Sequence, residues 1–298
     1  MARPVNRLLR WLWSLGSPSR STWFDSRRWR AVWNVNRLFM ATPREERTIV
    51  QVQFAPSMRM ELDLSRLTDV LAFCYGPGEN EVGYACARLC APDGVVADVG
   101  GNIGTTTLSF AACVPNGRVH VFEPSRDMLS ILRRNLELSG LRNVTVHDFG
   151  LADAPSRGHL QVATAGNPGS AYFVDDAEHG AASEADEIEV KRLDDVLAGA
   201  ARLDFVKIDV EGYELRVLRG ASALLARHRP AVLFEVNEAA LRRAGASGRE
   251  VCDFLLGRGY RLRYLHGGRF CDYDPATMLS RKLHNVIAVA AQAAGPGA

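Results

Sequence analysis

The stretch that decides the fold is Val95-Val-Ala-Asp-Val-Gly-Gly-Asn-Ile-Gly104. Its apolar run predicts a buried strand, its glycines predict a tight turn, and the residues that follow, Thr105-Thr-Thr-Leu-Ser-Phe-Ala-Ala-Cys113, have the spacing of a helix. Gly100, Gly101 and Gly104 lack a Cβ atom, so the backbone of the turn can approach a ligand closely. The free N–H groups at the start of the helix would point at the same ligand. The stretch therefore predicts a strand–turn–helix unit with a binding site above the strand.

An acidic residue at the end of the next predicted strand helps to identify the ligand. The run Arg118-Val-His-Val-Phe-Glu123 ends about twenty residues beyond the turn, the spacing at which a carboxylate accepts ribose hydroxyls. The turn departs from the dinucleotide pattern G-x-G-x-x-G, because Asn102 stands where that pattern has glycine. We place Asp98 in the turn, where an acid would repel a pyrophosphate and suit a ligand with a cationic centre. These residues favour S-adenosylmethionine over NAD as the cofactor.

A second informative segment is Leu203-Asp-Phe-Val-Lys-Ile-Asp-Val-Glu-Gly-Tyr-Glu-Leu215. Its apolar residues predict a buried parallel strand, in which Lys207 and Asp209 are costly unless they are paired or lie at the strand end. The segment would bring these two residues, Glu211 and Glu214 to one edge of the sheet. Such a density of charge can tune pKa values for proton transfer, so we interpret Glu211 or Asp209 as a general base and Lys207 as its orienting partner. The alternative is that Glu211 and Glu214 only begin the next helix.

Three motifs together resemble one protein family. The segments Asp98–Gly104, Val121-Phe-Glu-Pro124 and Phe205–Glu214 are similar to the FkbM-type branch of the class I S-adenosylmethionine-dependent methyltransferases. The resemblance runs from Met58 to Val289 and so covers most of the chain. It implies an α/β, Rossmann-like class I methyltransferase fold: a mostly parallel seven-stranded sheet with helices on both faces, plus an N-terminal extension. It also implies S-adenosylmethionine as the cofactor.

The resemblance further implies which residues bind the cofactor. Glu79 falls where the family has an acid near the cofactor, although an acidic residue at a helix start is an equal explanation. Asp148 and Phe149 follow the third strand, where class I methyltransferases line the adenine; an exposed acidic loop is the competing interpretation. Asn135 matches an asparagine usual in the family, with a structural role. The predicted cofactor-binding set is Glu79, Asp98, Gly100, Asn102, Gly104, Glu123, Asp148, Phe149 and Asp209.

The family methylates hydroxyls on polyketides, glycans and other natural products, so the resemblance implies O-methylation of such a small-molecule, polyketide or glycan acceptor. A metal-assisted version is open, because Asp209, Glu235 and Asn237 would place oxygen ligands at adjacent strand ends. We predict no metal, since such clusters are common without one. The runner-up is a non-catalytic binding module that docks a membrane or a biosynthetic partner. An NAD-dependent oxidoreductase is disfavoured by Asp98 and by the lack of an evident Tyr-x-x-x-Lys pair.

The composition divides the chain into unlike parts. Of its 298 residues 47% are hydrophobic and 23% are charged, which is ordinary for a globular protein. The net charge of +2 conceals an uneven distribution of charge. Residues 1–47 hold ten arginines and three acidic residues, a net charge of +7, so the remainder of the chain carries −5. All five tryptophans lie within residues 1–47. An acidic body argues against a nucleic-acid partner. We predict a basic Trp-rich N-terminal extension over 1–47, a methyltransferase domain over 48–290 and a disordered tail over 291–298.

The segment Pro4–Leu15 is basic and apolar, but it is too short and too charged to span a bilayer. It can form an amphipathic helix that lies on an anionic membrane or docks an enzyme partner; the alternative is that it packs on the catalytic core. The six cysteines include no C-x-x-C pair, which favours free thiols in a reducing cytoplasm. The scarcity of lysine beside abundant arginine is typical of a high-GC bacterial genome. The oligomeric state is not indicated.

The segment from Ala154 to Glu187 interrupts the alternation of strands and helices. It is rich in Gly, Ala and Asp and contains two short strand-like pieces, Gly158–Val162 and Ala171–Val174. We interpret it as an inserted hairpin followed by an acidic loop. Insertions over the carboxyl end of a sheet often serve as lids or substrate walls.

Overall fold

The computed structural model describes residues 49–55, 58–75, 80–162, 171–176, 187–279 and 283–291. The N-terminal extension, Glu79, residues 177–186 of the acidic loop predicted over Asp175–Asp186 and the tail from 292 onward lie outside the described residues. Asp175, the first residue of that predicted loop, instead ends a strand. The predicted domain boundaries and the docking role of the extension therefore stay predictions. Among the described helices, none has both the length and the apolar character needed to cross a membrane.

Strands and helices alternate along most of the described chain. The strands are β1 (Ile49–Ala55), β2 (Met58–Asp63), β3 (Val95–Val99), β4 (Arg118–Phe122), β5 (Val144–His147), β6 (Gly150–Leu151), β7 (Ser156–Val162), β8 (Ala171–Asp175), β9 (Glu187–Lys191), β10 (Phe205–Ile208), β11 (Ala231–Asn237), β12 (Tyr260–His266), β13 (Arg269–Asp272) and β14 (Leu283–Ala290). The helices are α1 (Leu67–Tyr75), α2 (Asn80–Leu89), α3 (Thr105–Cys113), α4 (Arg126–Ser139), α5 (Leu193–Val196), α6 (Glu214–Gly220), α7 (Ser222–His228), α8 (Glu238–Arg243), α9 (Gly248–Leu256) and α10 (Pro275–Met278).

The central sheet has the strand order β13-β12-β14-β11-β10-β3-β4-β5. The strands from β11 to β5 in this order pair in parallel, whereas β14 runs antiparallel to β11 and β12. The chain moves outward from β3 to β5 and then returns to β10 on the other side of β3. This confirms the predicted α/β class. Such sheets bind ligands beyond the carboxyl ends of the strands where the order reverses, which here lies between β3 and β10.

The described sheet has eight strands where seven were predicted. The additional strand, β13, pairs antiparallel with β12 across a turn at Gly267 and Gly268. Their φ angles of 57° and 74° suit a two-residue hairpin turn with positive φ at both positions. The Gly-Gly pair is visible in the sequence, but the four residues of β13 begin and end with a charge, so alternation alone did not predict a strand.

Helices cover both faces of the sheet, as predicted. On one face α2 and α3 pack on alternate strand residues, and Phe110 of α3 meets Phe205 of β10 edge-on at 5.6 Å. On the other face the helices α5, α6, α7 and α9 bury a larger core that includes Val206 and Ile208. Because strand residues alternate between faces, Lys207 lies on the same face as α3.

The hairpin of β1 and β2 packs against α4 rather than joining the central sheet. Asn135 of α4 ties these parts together: its side-chain amide donates to the carbonyl of Ile103 at 2.9 Å and accepts from the N–H of Glu61 at 2.7 Å. Asn135 is fully buried, so both bonds are shielded from water. It therefore has the structural role that the resemblance implied.

The predicted inserted hairpin is present as β7 and β8. These strands pair antiparallel, and β9 and β6 extend them into a separate four-stranded sheet in the order β6-β9-β7-β8. We call β7 and β8 the inserted hairpin below. Because β6 follows β5 closely in the chain, this second sheet begins at the carboxyl end of the central one.

Candidate functional site

A pocket opens at the carboxyl ends of β3, β4 and β10. Its floor comes from the glycine turn and from the residues after β4 and β10, and one wall comes from the inserted hairpin and β9. The lining residues are Val99, Gly100, Asn102, Phe122, Glu123, Pro124, Ser125, Met128, Gly150, Leu151, Leu160, Ala171, Phe173, Ile188, Val190, Asp209, Val210, Glu211 and Tyr213. The pocket lies where the reversal of strand order places a ligand site.

The glycine turn approaches the pocket as predicted, through Gly100 and Asn102. Gly100 has a φ of 83°, and a Cβ atom there would collide with the carbonyl oxygen of Asp209. The position therefore requires glycine for both its backbone and its space. Gly104 has a φ of 94° before α3, and a Cβ atom there would meet Leu132 of α4. It is not among the residues that line the pocket, and its predicted role at the cofactor stays a prediction.

Glu123 is held at the edge of the pocket by backbone donors. One carboxylate oxygen accepts from the N–H of Asn102 and the other from the N–H of Ser125, both at 2.8 Å. Burial raises the pKa of Glu123, and these two hydrogen bonds oppose the rise. The two bonds fix the direction of the carboxylate and leave lone pairs for a ligand, as expected of an acid that binds ribose hydroxyls.

Lys207 is the electrostatic centre beneath the pocket. Its side chain is almost fully buried; Nζ donates to the carbonyl of Gly100 at 2.7 Å and lies 3.5 Å from a carboxylate oxygen of Asp98 and of Asp209. Burial alone would lower the pKa of Lys207, but the carboxylates of Asp209 and Asp98 outweigh it and hold the pKa above its ordinary value. Lys207 is therefore a permanent cation that fixes the turn.

The sequence predicted Asp98 in the turn, but it lies in β3. It does not line the pocket. Its side chain is fully buried, and one oxygen accepts from the hydroxyls of Thr106 and Thr107 at 2.9 and 2.6 Å. The charge of Asp98 does not meet a ligand, contrary to the prediction, because it is buried and paired with Lys207 at 3.5 Å. Asp98 contributes by holding Lys207 in place.

Glu211 lines the pocket on a strained loop after β10. It has a φ of 52°, which is uncommon for a residue other than glycine, and Gly212 follows with a φ of 115°. Burial raises the pKa of Glu211 to about 7; the carboxylates of Asp209 and Glu214 add to the rise, and Arg243 opposes it. A carboxylate with a pKa near neutral can exchange a proton at physiological pH.

The other two acidic residues of this segment have different surroundings. Asp209 lines the pocket, and 42% of its side chain is exposed. Glu214 begins α6 and is buried beneath the loop, where one oxygen accepts from the N–H groups of Val210 and Gly212 at 3.2 Å. The expectation that Glu214 joins the others at the edge is wrong, because its carboxylate faces inward and shapes the loop.

Asp148 and Phe149 do not line this pocket. The side chain of Asp148 is 66% exposed, pairs with Arg133 at 3.5 Å and lines a neighbouring surface pocket that shares Pro124 with the first. Phe149 packs near Phe122, and its ring lies beneath the ammonium of Lys191 at 4.3 Å. A role for either residue at an adenine stays a prediction.

The alternative metal site is not favoured by the geometry. Asn237 uses its side-chain oxygen to cap α8, accepting from the N–H of Ala240 at 3.2 Å. Glu235 is partly buried in β11. In the ranges that the structure describes, the His, Cys, Asp and Glu side chains form no group of three or more able to hold a metal ion. The carboxylate of Asp209 is instead paired with Lys207.

The aromatic part of the pocket was not predicted from the sequence. Tyr213 lines it, and its ring meets that of Phe173 edge-on at 5.4 Å. Leu160 and Val190 complete an apolar wall beside them. Tyr213 lies within the segment Phe205–Glu214, directly after Gly212. Its position in that segment could have indicated that it lines the pocket. The role of the insertion as a wall agrees with the position of Leu160 and Phe173.

Comparison with known proteins gives a family match and distant relatives. A family model described as Methyltransferase FkbM domain matches residues 98–262. Methyltransferase 1 of Beauveria bassiana is 34% identical over 146 residues, which are 43% of this chain and 58% of that protein. The 31-O-demethyl-FK506 methyltransferase FkbM of Streptomyces tacrolimicus is 33% identical over 197 residues, 57% of this chain and 73% of that protein. The chain thus spans less than three fifths of the length of the first relative.

Among solved structures, methyltransferase FkbM from Methylobacillus flagellatus KT aligns with 18% identity and a TM-score of 0.47. The alignment covers 88% of this chain and 59% of that one. At this identity and TM-score the likeness adds nothing to the family match.

Proposed function

Because the chain belongs to the FkbM family of methyltransferases, we propose that it transfers a methyl group from S-adenosylmethionine to a hydroxyl of a small-molecule acceptor. The observation that carries the proposal is the arrangement of acids around one pocket. Glu123 is fixed by two backbone N–H groups on one side, and Asp209 and Glu211 line the other. One pocket thus contains a carboxylate that can bind ribose hydroxyls and two carboxylates that can accept a proton from an alcohol.

The residues around the glycine turn fit the cofactor. The side-chain oxygen of Asn102 is buried and finds no hydrogen-bond partner among the described residues, although such atoms are normally paired. A donor on the bound cofactor would satisfy it. Gly100 lets the turn pack directly against the carbonyl of Asp209 at the edge of the pocket, and Glu123 has lone pairs for ribose hydroxyls. When bound, S-adenosylmethionine supplies a methyl carbon activated by a positively charged sulfur.

The chain itself contributes positioning and proton removal. Displacement at a methyl carbon needs the acceptor oxygen held in line with the departing sulfur. Glu211, with a pKa raised to about 7, accepts the proton of the acceptor hydroxyl near neutral pH. Asp209 is the second candidate for this base because it also lines the pocket. Lys207 stays protonated, so we assign it the positioning of Asp209 and of the turn.

The lining of the pocket supports a neutral, apolar acceptor. The inserted hairpin and β9 supply apolar side chains, and the charged residues that line the pocket within the described ranges are acidic, namely Glu123, Asp209 and Glu211. An anionic acceptor would be repelled, whereas a neutral alcohol on an apolar framework fits. The Streptomyces relative is a 31-O-demethyl-FK506 methyltransferase, which supports transfer to oxygen. A polyketide-like framework suits this wall better than a glycan.

Binding of S-adenosylhomocysteine by calorimetry tests the cofactor site. We expect micromolar binding by the wild type, weakened about 10- to 100-fold in Glu123→Ala, because hydrogen bonds to a charged group contribute roughly 1.5–3 kcal/mol. The matched control is Glu137→Ala, an exposed acid on α4, which should bind as the wild type does. Equal affinity in Glu123→Ala would remove Glu123 from the site. No binding by the wild type would instead favour a non-catalytic module of the same fold.

A further inference from the structure

Arg243, the last residue of α8, contacts two segments beside the pocket that are distant in the sequence. Its guanidinium donates to the carbonyl of Glu211 at 3.2 Å. The same group lies over the ring of Tyr172, 3.9 Å from the ring centre. Glu211 belongs to the loop after β10, and Tyr172 belongs to the inserted hairpin. One side chain therefore spans the acidic loop and the apolar wall.

The contact with Tyr172 holds the inserted hairpin from the side that faces away from the pocket. Successive strand residues point to opposite faces. Leu160 and Phe173 pair across the hairpin and line the pocket, whereas the next pair, Gln161 and Tyr172, lies on the other face. The hydroxyl of Tyr172 donates to the side chain of Gln161 at 2.7 Å, so the ring that Arg243 covers is tied to both strands.

The hydrogen bond from Arg243 to Glu211 is made to a strained backbone, which surrounding residues must hold in place. Glu211 has a φ of 52°. This conformation is unfavourable in free energy for a residue that has a Cβ atom. The following Gly212 packs so tightly on the carbonyl of Ala240 in α8 that no side chain would fit there. A hydrogen bond from Arg243 to the carbonyl of Glu211 holds this peptide from the same helix.

We propose that Arg243 is a positioning residue that fastens the inserted hairpin to the loop of Glu211, so that the apolar wall and the carboxylate keep one arrangement. The proposal rests on the proposed function only for the role of Glu211 as a base. The charged groups that act on Glu211 are Asp209 and Glu214, which repel its negative charge, and Arg243, which attracts it. Removing Arg243 thus has a mechanical and an electrostatic consequence, and each can be measured separately.

The test compares Arg243→Ala and Arg243→Lys with Arg242→Ala, a control on the preceding, exposed residue of α8. Hydrogen exchange follows the amides of β7 and β8, and ¹³C NMR of labelled glutamate carboxyls, assigned with Glu211→Gln, gives the pKa of Glu211. In Arg243→Ala we expect at least threefold faster exchange in the hairpin and a higher pKa of Glu211. Arg243→Lys should restore part of both, because it keeps the charge, and Arg242→Ala should change neither. The affinity for S-adenosylhomocysteine should stay within twofold in all three variants.

Exchange and pKa both equal to those of the wild type in Arg243→Ala would overturn the proposal. If that variant does not fold, Tyr172→Leu provides the second test. We expect faster exchange in the hairpin and an unchanged pKa of Glu211. Unchanged exchange in Tyr172→Leu would overturn the proposal. These measurements use no acceptor. They therefore decide the role of Arg243 even if wild-type protein fails to bind S-adenosylhomocysteine and the proposed function falls.

Discussion

Replacing Lys207 by methionine is expected to destabilise the fold by about 3–5 kcal/mol, the cost of leaving a buried charge unpaired. Methionine keeps the unbranched apolar stem but removes the cation. Asp98, which is fully buried, would keep its hydrogen bonds from the hydroxyls of α3 and lose its counter-charge. At about 2–4 °C per kcal/mol for a domain of this size, thermal unfolding should shift down by roughly 6–20 °C.

The control for this prediction is Lys191→Met, which removes a partly exposed lysine paired with Glu189 at 3.0 Å and should cost less than about 1 kcal/mol. Adding Asp98→Asn to Lys207→Met should recover part of the loss, because the unpaired charge disappears. The pKa of Lys207 lies above its ordinary value, so its contribution is complete at neutral pH and is lost only as the pH rises through that folded-state value. An unchanged unfolding midpoint in Lys207→Met would contradict the pairing.

Replacing Glu211 by glutamine is expected to slow methyl transfer about 10²- to 10⁴-fold with any hydroxyl acceptor that the wild type methylates. Glutamine keeps the shape of the side chain and cannot accept the proton. In the wild type the rate should rise with pH through about 7 as Glu211 ionises, and this limb of the profile should vanish in the variant. The affinity for S-adenosylhomocysteine should stay within about twofold. A normal rate in Glu211→Gln would remove Glu211 as the base and leave Asp209.

The same substitution should stabilise the folded protein at high pH. Folding raises the pKa of Glu211 from 4.5 to about 7, so the folded state binds the proton more tightly than the unfolded state does. Stability from this group is therefore complete below pH 4.5 and falls as the pH rises towards 7. Glu211→Gln should unfold at a higher temperature than the wild type at pH 8, and the difference should shrink at pH 4.

The sequence allowed the central sheet and the two sides of the pocket to be predicted, because both depend on local patterns. The apolar runs of β3, β4 and β10 are short and continuous, and the glycine turn has few conformations open to it. Spacing and the motif around it pointed to Glu123, which lines the pocket, and its role at the cofactor stays a prediction. The same reasoning misplaced Asp98 by a residue or two, since the boundary between a strand and a turn is not visible in a run that contains both.

Long-range contacts could not be predicted in this way. Asp98 finds Lys207 because β3 and β10 pair in register, a fact that no local pattern contains. The wall of the pocket depends on how the inserted hairpin folds back, and the link from Arg243 to Tyr172 depends on that placement as well. Periodicity identifies the elements, whereas the side chains that join separate elements become visible only in three dimensions.

The bond from Lys207 to the carbonyl of Gly100 has a consequence for how the protein matures. The two residues are separated by 107 positions, so the first strand–turn–helix unit leaves the ribosome long before its supporting cation is made. Until β10 is in place, Asp98 has no counter-charge and the turn has no anchor from below. A nascent or truncated chain that ends before β10 is therefore expected to lack a formed glycine turn and pocket. A ligand of this pocket would then bind and stabilise completed chains, by mass action. It would not stabilise chains that lack β10.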